Sequence, residues 1–209
     1  MHGTVPQKVG RVITDLLLHP QYIPRCLNHN VIKGKTPLDL EVPWFSYAAI
    51  DFLETFLRPT MSVCEYGSGG STLFFSTRTQ SVFAIEDNAK WYELVSNRLR
   101  EKFIKNVTMK LCPFDFKNTE GFEKSDYLHA MPDQKFDVIV VDGSEEWNQV
   151  RPICFAKAEK QVKPGGIVVV DDSWRYPTIR QNHHAREMKI FQSVGPCRPG
   201  VTSTDIFFY

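Results

Sequence analysis

No apolar run in this chain of 209 residues approaches the ~18 residues a membrane-crossing helix needs, so a membrane partner is not expected. The N-terminal RVITDLLLHP is interrupted by Asp15 and closed by Pro20, and it has neither the long apolar core nor the small-residue cleavage site of a secretory leader. Charge of one sign is lacking as well. With 25 Lys and Arg against 24 Asp and Glu, there is no electrostatic footprint for a phosphate backbone, and a nucleic-acid partner is not expected. Closely spaced cysteines are also missing: Cys26, Cys64, Cys112, Cys154 and Cys197 are scattered, odd in number and free of the C-x-x-C spacing of zinc and redox sites. Reduced thiols in a cytoplasmic protein are the expectation. Nor is the chain poor in core-forming residues, since 42% are hydrophobic and 23% charged, which argues against intrinsic disorder.

From about Ser62 onward, short apolar runs alternate with longer amphipathic stretches, the pattern of a parallel sheet flanked by helices. The expected strands are MSVCEY (61–66), SVFAIE (81–86), VTMKLC (107–112), FDVIVVD (136–142) and GIVVVDD (166–172). Trp91, Leu94, Val95, Leu99 and Phe103 recur at a helical period between the second and third, with Asp87 or Asn88 placed to cap the first turn. Trp147, Val150, Cys154, Ala158 and Val162 do the same between the fourth and fifth, where KPGG is expected to end the helix. The C-terminus reads as a short helix near 178–185, a strand near 188–194, the turn GPCRPG and a last strand TSTDIFFY (202–209). Such a hairpin places an antiparallel strand in an otherwise parallel sheet. Residues 1–60 read mainly as helices, near 8–19 and 44–57 and before Asn28, forming an extension to a domain spanning 61–209.

The chemistry is expected at VCEYGSGGSTLFFS (63–76), the turn at the carboxyl end of the first strand, where open α/β sheets bind ligands. Gly67 and Gly69 allow a sharp turn and close backbone approach, while Ser71 and Thr72 can serve the start of the next helix. A dinucleotide turn G-x-G-x-x-G would need glycine where Thr72 stands. Glu65, directly before the turn, is poorly matched to a pyrophosphate and well matched to the ammonium group of S-adenosylmethionine. Glu86, at the end of the second strand, is placed to grip both ribose hydroxyls, a feature that NAD sites share. An NAD-dependent oxidoreductase is therefore the weaker reading.

EYGSGGS resembles the E/D-x-G-x-G-x-G motif of class I S-adenosylmethionine-dependent methyltransferases, and FAIED, CPFDF, FDVIVVDGS and KPGGIVVVDDS follow in that family's order. Ser71 stands where many members have a third glycine. The resemblance implies a three-layer Rossmann-like α/β sandwich whose seven-stranded, mostly parallel sheet has the order 3-2-1-4-5-7-6. It also implies that Gly67, Ser68 and Gly69 meet the methionine moiety with Glu65 near its ammonium, that Glu86 binds the ribose flanked by Asp87 and Asn88, and that Asp115 and Phe116 meet the adenine. Asp142 would stand where methyl group and acceptor meet.

Asp142, Asp171 and Asp172, at the ends of adjacent strands, could converge on Mg²⁺, which prefers oxygen ligands. Catechol-type enzymes use a comparable Asp and Asp-Asn set, which the Asp-Asp-Ser here matches only in part. The preferred reading assigns no metal: Asp142 meets the cofactor ammonium, and Asp171 and Asp172 hydrogen-bond the loop. His183 is a candidate base for the acceptor, its ordinary pKa suiting it to proton transfer, although no motif ties it to a partner. Trp147, Trp174 and Tyr176 are candidate walls of the acceptor site. The function expected is methyl transfer from S-adenosylmethionine to an oxygen or nitrogen nucleophile of a small molecule, the alternative being an inactive cofactor-binding module.

Overall fold

In a computed structural model, which describes residues 4–31 and 36–209, the N-terminal part forms α1 (Val5–Leu18), α2 (Ile23–Val31), α3 (Pro37–Leu40) and α4 (Tyr47–Phe56). The alternating region follows as β1 (Ser62–Tyr66), α5 (Gly70–Ser76), β2 (Ser81–Glu86), α6 (Ala89–Glu101), β3 (Val107–Leu111), α7 (Asp126–His129), β4 (Phe136–Val141), α8 (Val150–Glu159) and β5 (Val162–Asp171). It closes with α9 (Pro177–Gln181) and the hairpin β6 (Glu187–Val194) and β7 (Val201–Phe208).

The sheet has seven strands in the order β3-β2-β1-β4-β5-β7-β6. β1 to β5 pair in parallel, while β7 runs antiparallel to both β5 and β6. Burial on both faces explains the unbroken apolar runs of the central strands: Val138, Ile139, Val140 and Val141 of β4 are all fully buried. Within each strand, successive residues serve opposite layers. Val63, Val138, Val140 and Val169 face α4 and α5, whereas Cys64, Ile139, Val141 and Val168 face α7 and α8.

Local chemistry sets the helix starts. Ser46 caps α4, its hydroxyl accepting from the Ala49 N–H at 3.2 Å while donating to the Phe191 carbonyl at 2.8 Å. Tyr47, Ile50 and Leu53 of that helix are fully buried, each contributing roughly 1.5–3 kcal/mol. Asn88, the second of the two expected caps, starts α6 by accepting from the Trp91 N–H at 3.1 Å.

Two expectations about the region around α8 are corrected. α8 begins at Val150, so Trp147 lies ahead of it, packed edge-on against Phe122 at 5.6 Å rather than on the helix stripe. KPGG does not end the helix; it lies inside β5. There, Phe136 pairs with Val162 and Val138 with Ile167, so two steps along β4 face five along β5. This bulge accommodates Pro164, which has no N–H to give a ladder, and Gly165 at φ +81°.

Candidate functional site

The carboxyl ends of β1, β4 and β5 meet at one cleft of about 630 Å³. Ser68, Gly69 and Ser71 line it from the turn after β1, Asp142 from the end of β4, and Asp171 and Asp172 from the end of β5. The turn is tight because its backbone is. Gly67 has φ +98°, and a Cβ there would stand 2.8 Å from the Asp142 carbonyl oxygen, so any side chain would both strain the backbone and push β4 away. Gly70 is equally constrained from the other side, since its Cβ would fall 2.2 Å from the Val42 carbonyl oxygen. Trp91 braces the turn, its indole N–H donating to the Ser68 carbonyl at 2.7 Å.

Glu65 lies beneath this turn, 1% exposed. The Ser71 hydroxyl donates to Oε2 at 2.7 Å, and Oε1 has no hydrogen-bond partner. Burial, only partly offset by neighbouring hydroxyls, pushes its carboxyl up to about 7. A buried carboxylate oxygen without a donor is costly unless a ligand completes it. Thr72 does serve the helix start as expected, its hydroxyl accepting from the Gly69 N–H at 2.9 Å.

Glu86 is also buried, with Oε2 accepting from the Ser68 hydroxyl at 2.6 Å and Oε1 from the Asn88 N–H at 3.0 Å. It thus ties the glycine turn to the start of α6, and burial raises its carboxyl. The adjacent Asp87 is raised by burial too. Ser68 with Glu86 and Ser71 with Glu65 thus form two separate hydroxyl–carboxyl pairs around the turn.

Asp115 and Phe116 are not brought to the cleft. Asp115 is exposed and turns its own loop, accepting from the Lys117 N–H at 3.0 Å, and Phe116 is buried in an aromatic cluster with Phe114, Phe122 and Tyr127. His183 is likewise outside the cleft, its ring edge-on to Phe207 at 5.1 Å. The expected base is thus not brought beside Asp142 at the cleft, and its ring neighbour is a core phenylalanine. Of the three aromatic candidates, Trp174 lines the cleft, whereas Trp147 and Tyr176 pack into the layer of α7 and α8.

The carboxylates of the cleft are held by arginines that carry no sequence motif. Arg151 of α8, with 3% of its side chain exposed, reaches Asp142 at 3.0 Å and Glu145 at 3.3 Å, and donates to the Gly143 carbonyl. Arg198, from the turn between β6 and β7, reaches Asp171 at 3.2 Å and Asp172 at 2.9 Å. Thr204 donates to Asp171 at 2.6 Å, and Thr202 donates to Asp172. Burial raises Asp171 to about 6, while at Asp172 Arg198 and Thr202 overcome burial and hold the carboxyl at about 2. Burial likewise lifts Asp142, with Arg151 opposing. Each of the three carboxylates thus faces an arginine, and no cluster of three metal-binding side chains occurs among the described residues.

The methyltransferase domain family matches residues 57–195. No curated protein matches the chain. Among solved structures, the O-methyltransferase TomG of Streptomyces achromogenes, involved in tomaymycin synthesis and solved with S-adenosylmethionine, is similar at 16% identity and TM-score 0.61, covering 96% of this chain and 97% of its own. An rRNA methylase of Streptococcus thermophilus is similar at 14% identity and TM-score 0.55, covering 85% and 99%. A precorrin-6y C5,15-methyltransferase of Geobacter metallireducens follows at 14% identity and TM-score 0.53, covering 77% and 86%. At these identities the structures share the fold, and their acceptors differ. The matched domain, the sheet order and the glycine turn together place this chain in the methyltransferase domain family, as a class I S-adenosylmethionine-dependent methyltransferase.

Proposed function

We propose that this chain methylates an oxygen or nitrogen nucleophile of a small molecule bound in the cleft beside Asp142. The observation that carries this reading is the half-satisfied Glu65 under the glycine turn, 1% exposed and with Oε1 unpartnered. An ammonium-bearing ligand supplies the missing donor and favours the ionised carboxyl. Glu65 would hold the methionine ammonium, the Gly67–Gly69 backbone the methionine chain, and Glu86 the ribose hydroxyls in exchange for Ser68. S-adenosylmethionine, when bound, contributes a methyl group already activated on a sulfonium, so the chain's own work is alignment and exclusion of water.

Asp142 stands at the edge of the cleft with 23% of its side chain exposed. Its carboxylate orients the acceptor and takes its proton, while Arg151 fixes the carboxylate in place. A volume of about 630 Å³ suits a small molecule, and the near balance of basic and acidic residues offers little to an RNA backbone.

Calorimetric titration with S-adenosylmethionine and S-adenosylhomocysteine, followed by transfer of labelled methyl into small-molecule and RNA fractions, tests this. Micromolar binding of both ligands, lost in Glu86→Ala, is expected, with NAD not bound. Asp142→Ala should retain donor binding and lose transfer at least ~100-fold. Label entering RNA alone would replace the small-molecule acceptor, and full activity in Asp142→Ala would remove that residue from the reacting centre.

A further inference from the structure

Five basic and four acidic side chains line the cleft. The acids are answered from within it: Arg151 meets Asp142 and Glu145, Arg198 meets Asp171 and Asp172, and Arg175 meets Glu145 and Asp172. Lys8 of α1 lines the same cleft, is exposed, and has no carboxylate within ion-pair distance among the described residues. The single acid of α1, Asp15, is engaged by the Val194 N–H and His19. Arg198 is unfinished in another way. Its Nη1 donates to Asp172 and its Nη2 to Asp171 and the Trp44 carbonyl, yet its Nε–H is buried with no acceptor. A buried donor left bare is costly. Beside this guanidinium stands Trp44, its carbonyl fixed by it and its ring 5.3 Å from it, but 48% exposed. Trp174, also on the wall, is held by its indole N–H donating to Asp172 at 3.2 Å.

We propose, resting on the reading of the cleft as the methyl-transfer site, that the acceptor is a hydroxy- or amino-substituted aromatic carboxylate. Its ring stacks on Trp44, and its carboxylate accepts from the Arg198 Nε–H with Lys8 as counter-charge. An indole fixed at its backbone and left half bare is a stacking surface that needs little ordering on binding. A carboxylate supplies what each basic group lacks, an acceptor oxygen for the buried N–H and a partner for the flexible lysine. One spare cation matches one negative charge, whereas a phosphate monoester carries nearly two. The donor leaves this balance unchanged, because its one net positive charge is met by the ionised Glu65. In the transfer, the acceptor's oxygen or nitrogen bonds to the methyl carbon as the carbon–sulfur bond breaks. The electron pair of that bond stays on sulfur, and the acceptor's proton passes to the Asp142 carboxylate.

Calorimetric titration of the full chain saturated with S-adenosylhomocysteine is the test. The probes are 2-aminobenzoate and 4-hydroxybenzoate, the uncharged amide of each, and adenosine 5′-monophosphate. At least one acid should bind ~10-fold or more tightly than its amide. Lys8→Gln should remove most of that preference and leave the affinity for the amide as it was. Trp44→Leu should weaken acid and amide alike by about 10-fold. Both variants should still bind S-adenosylhomocysteine, which shows that they are folded. Acids bound no more tightly than their amides, or not at all, overturn the proposal. So do preferential binding of the nucleotide and acid affinities indifferent to both substitutions. Label entering an uncharged small molecule in preference to any acid would overturn this proposal and leave methyl transfer standing. Failure to bind S-adenosylhomocysteine would remove both.

Discussion

At Glu65, burial and charge conflict directly. In the fold its carboxyl is raised from 4.5 to about 7, so the native state holds a proton that the unfolded chain releases. The sign follows: below pH 4.5 both states are protonated and nothing is lost, whereas as pH rises through about 7 the native state must ionise a buried group. The ligand-free protein should therefore lose about 3 kcal/mol of stability between pH 4.5 and pH 8 from this residue. Thermal unfolding in the two buffers should show the fall in the wild type and a flatter profile in Glu65→Gln. A cation on Oε1 reverses the balance, so donor binding near pH 7 should release a proton, visible as a calorimetric heat that depends on the buffer. A binding heat independent of buffer would mean that no cation reaches Glu65. That this glutamate stands directly before the turn was legible because strand, turn and acid are contiguous. It could not show that Ser71 would satisfy one oxygen and leave the other bare.

Among the elements, contiguous signals were legible and long-range ones were not. The alternation of Val and Ile runs with helical periods located the five parallel strands and the terminal hairpin, since the central strands are buried on both faces. KPGG misled because proline and glycine end helices and interrupt strands alike; only pairing with β4 distinguishes a bulge from a helix stop. α9 and β7 show a further long-range contact. Arg180 reaches the wholly buried Asp205 at 2.6 Å, 25 residues away. Removing the arginine leaves a buried carboxylate unpaired, so Arg180→Met should cost about 3 kcal/mol in urea unfolding, and Arg180→Met/Asp205→Asn should recover much of it. A loss below about 0.5 kcal/mol would put this pair in the class of solvated surface bridges.

Across the whole molecule, the cleft is assembled from segments distant in sequence: Lys8 of α1, Trp44, the turn at 67–71, Asp142, Asp172 and Arg198. The glycine turn was readable from one motif, whereas the side of the cleft formed by Asp142, Asp172 and Arg198 is fixed by contacts that only the closed sheet creates. Arg198 ties this side together. Its guanidinium bridges Asp171 and Asp172 at the end of β5 and donates to the Trp44 carbonyl at 2.6 Å, joining the terminal hairpin, the central sheet and the N-terminal segment. Asp171 is 2% exposed and already raised by burial to about 6; without the arginine it rises further. Arg198→Ala should thus destabilise the fold by about 3 kcal/mol at pH 8, where Asp171 would be a buried charge with its main partner gone. At pH 5 the carboxyl takes up a proton and the loss should shrink, so the variant's deficit grows with pH. Urea unfolding of wild type and variant at the two pH values reads this difference. A deficit equal at both would mean that Arg198 acts through packing on Trp44, whose ring it overlies at 5.3 Å, rather than through the acids of β5.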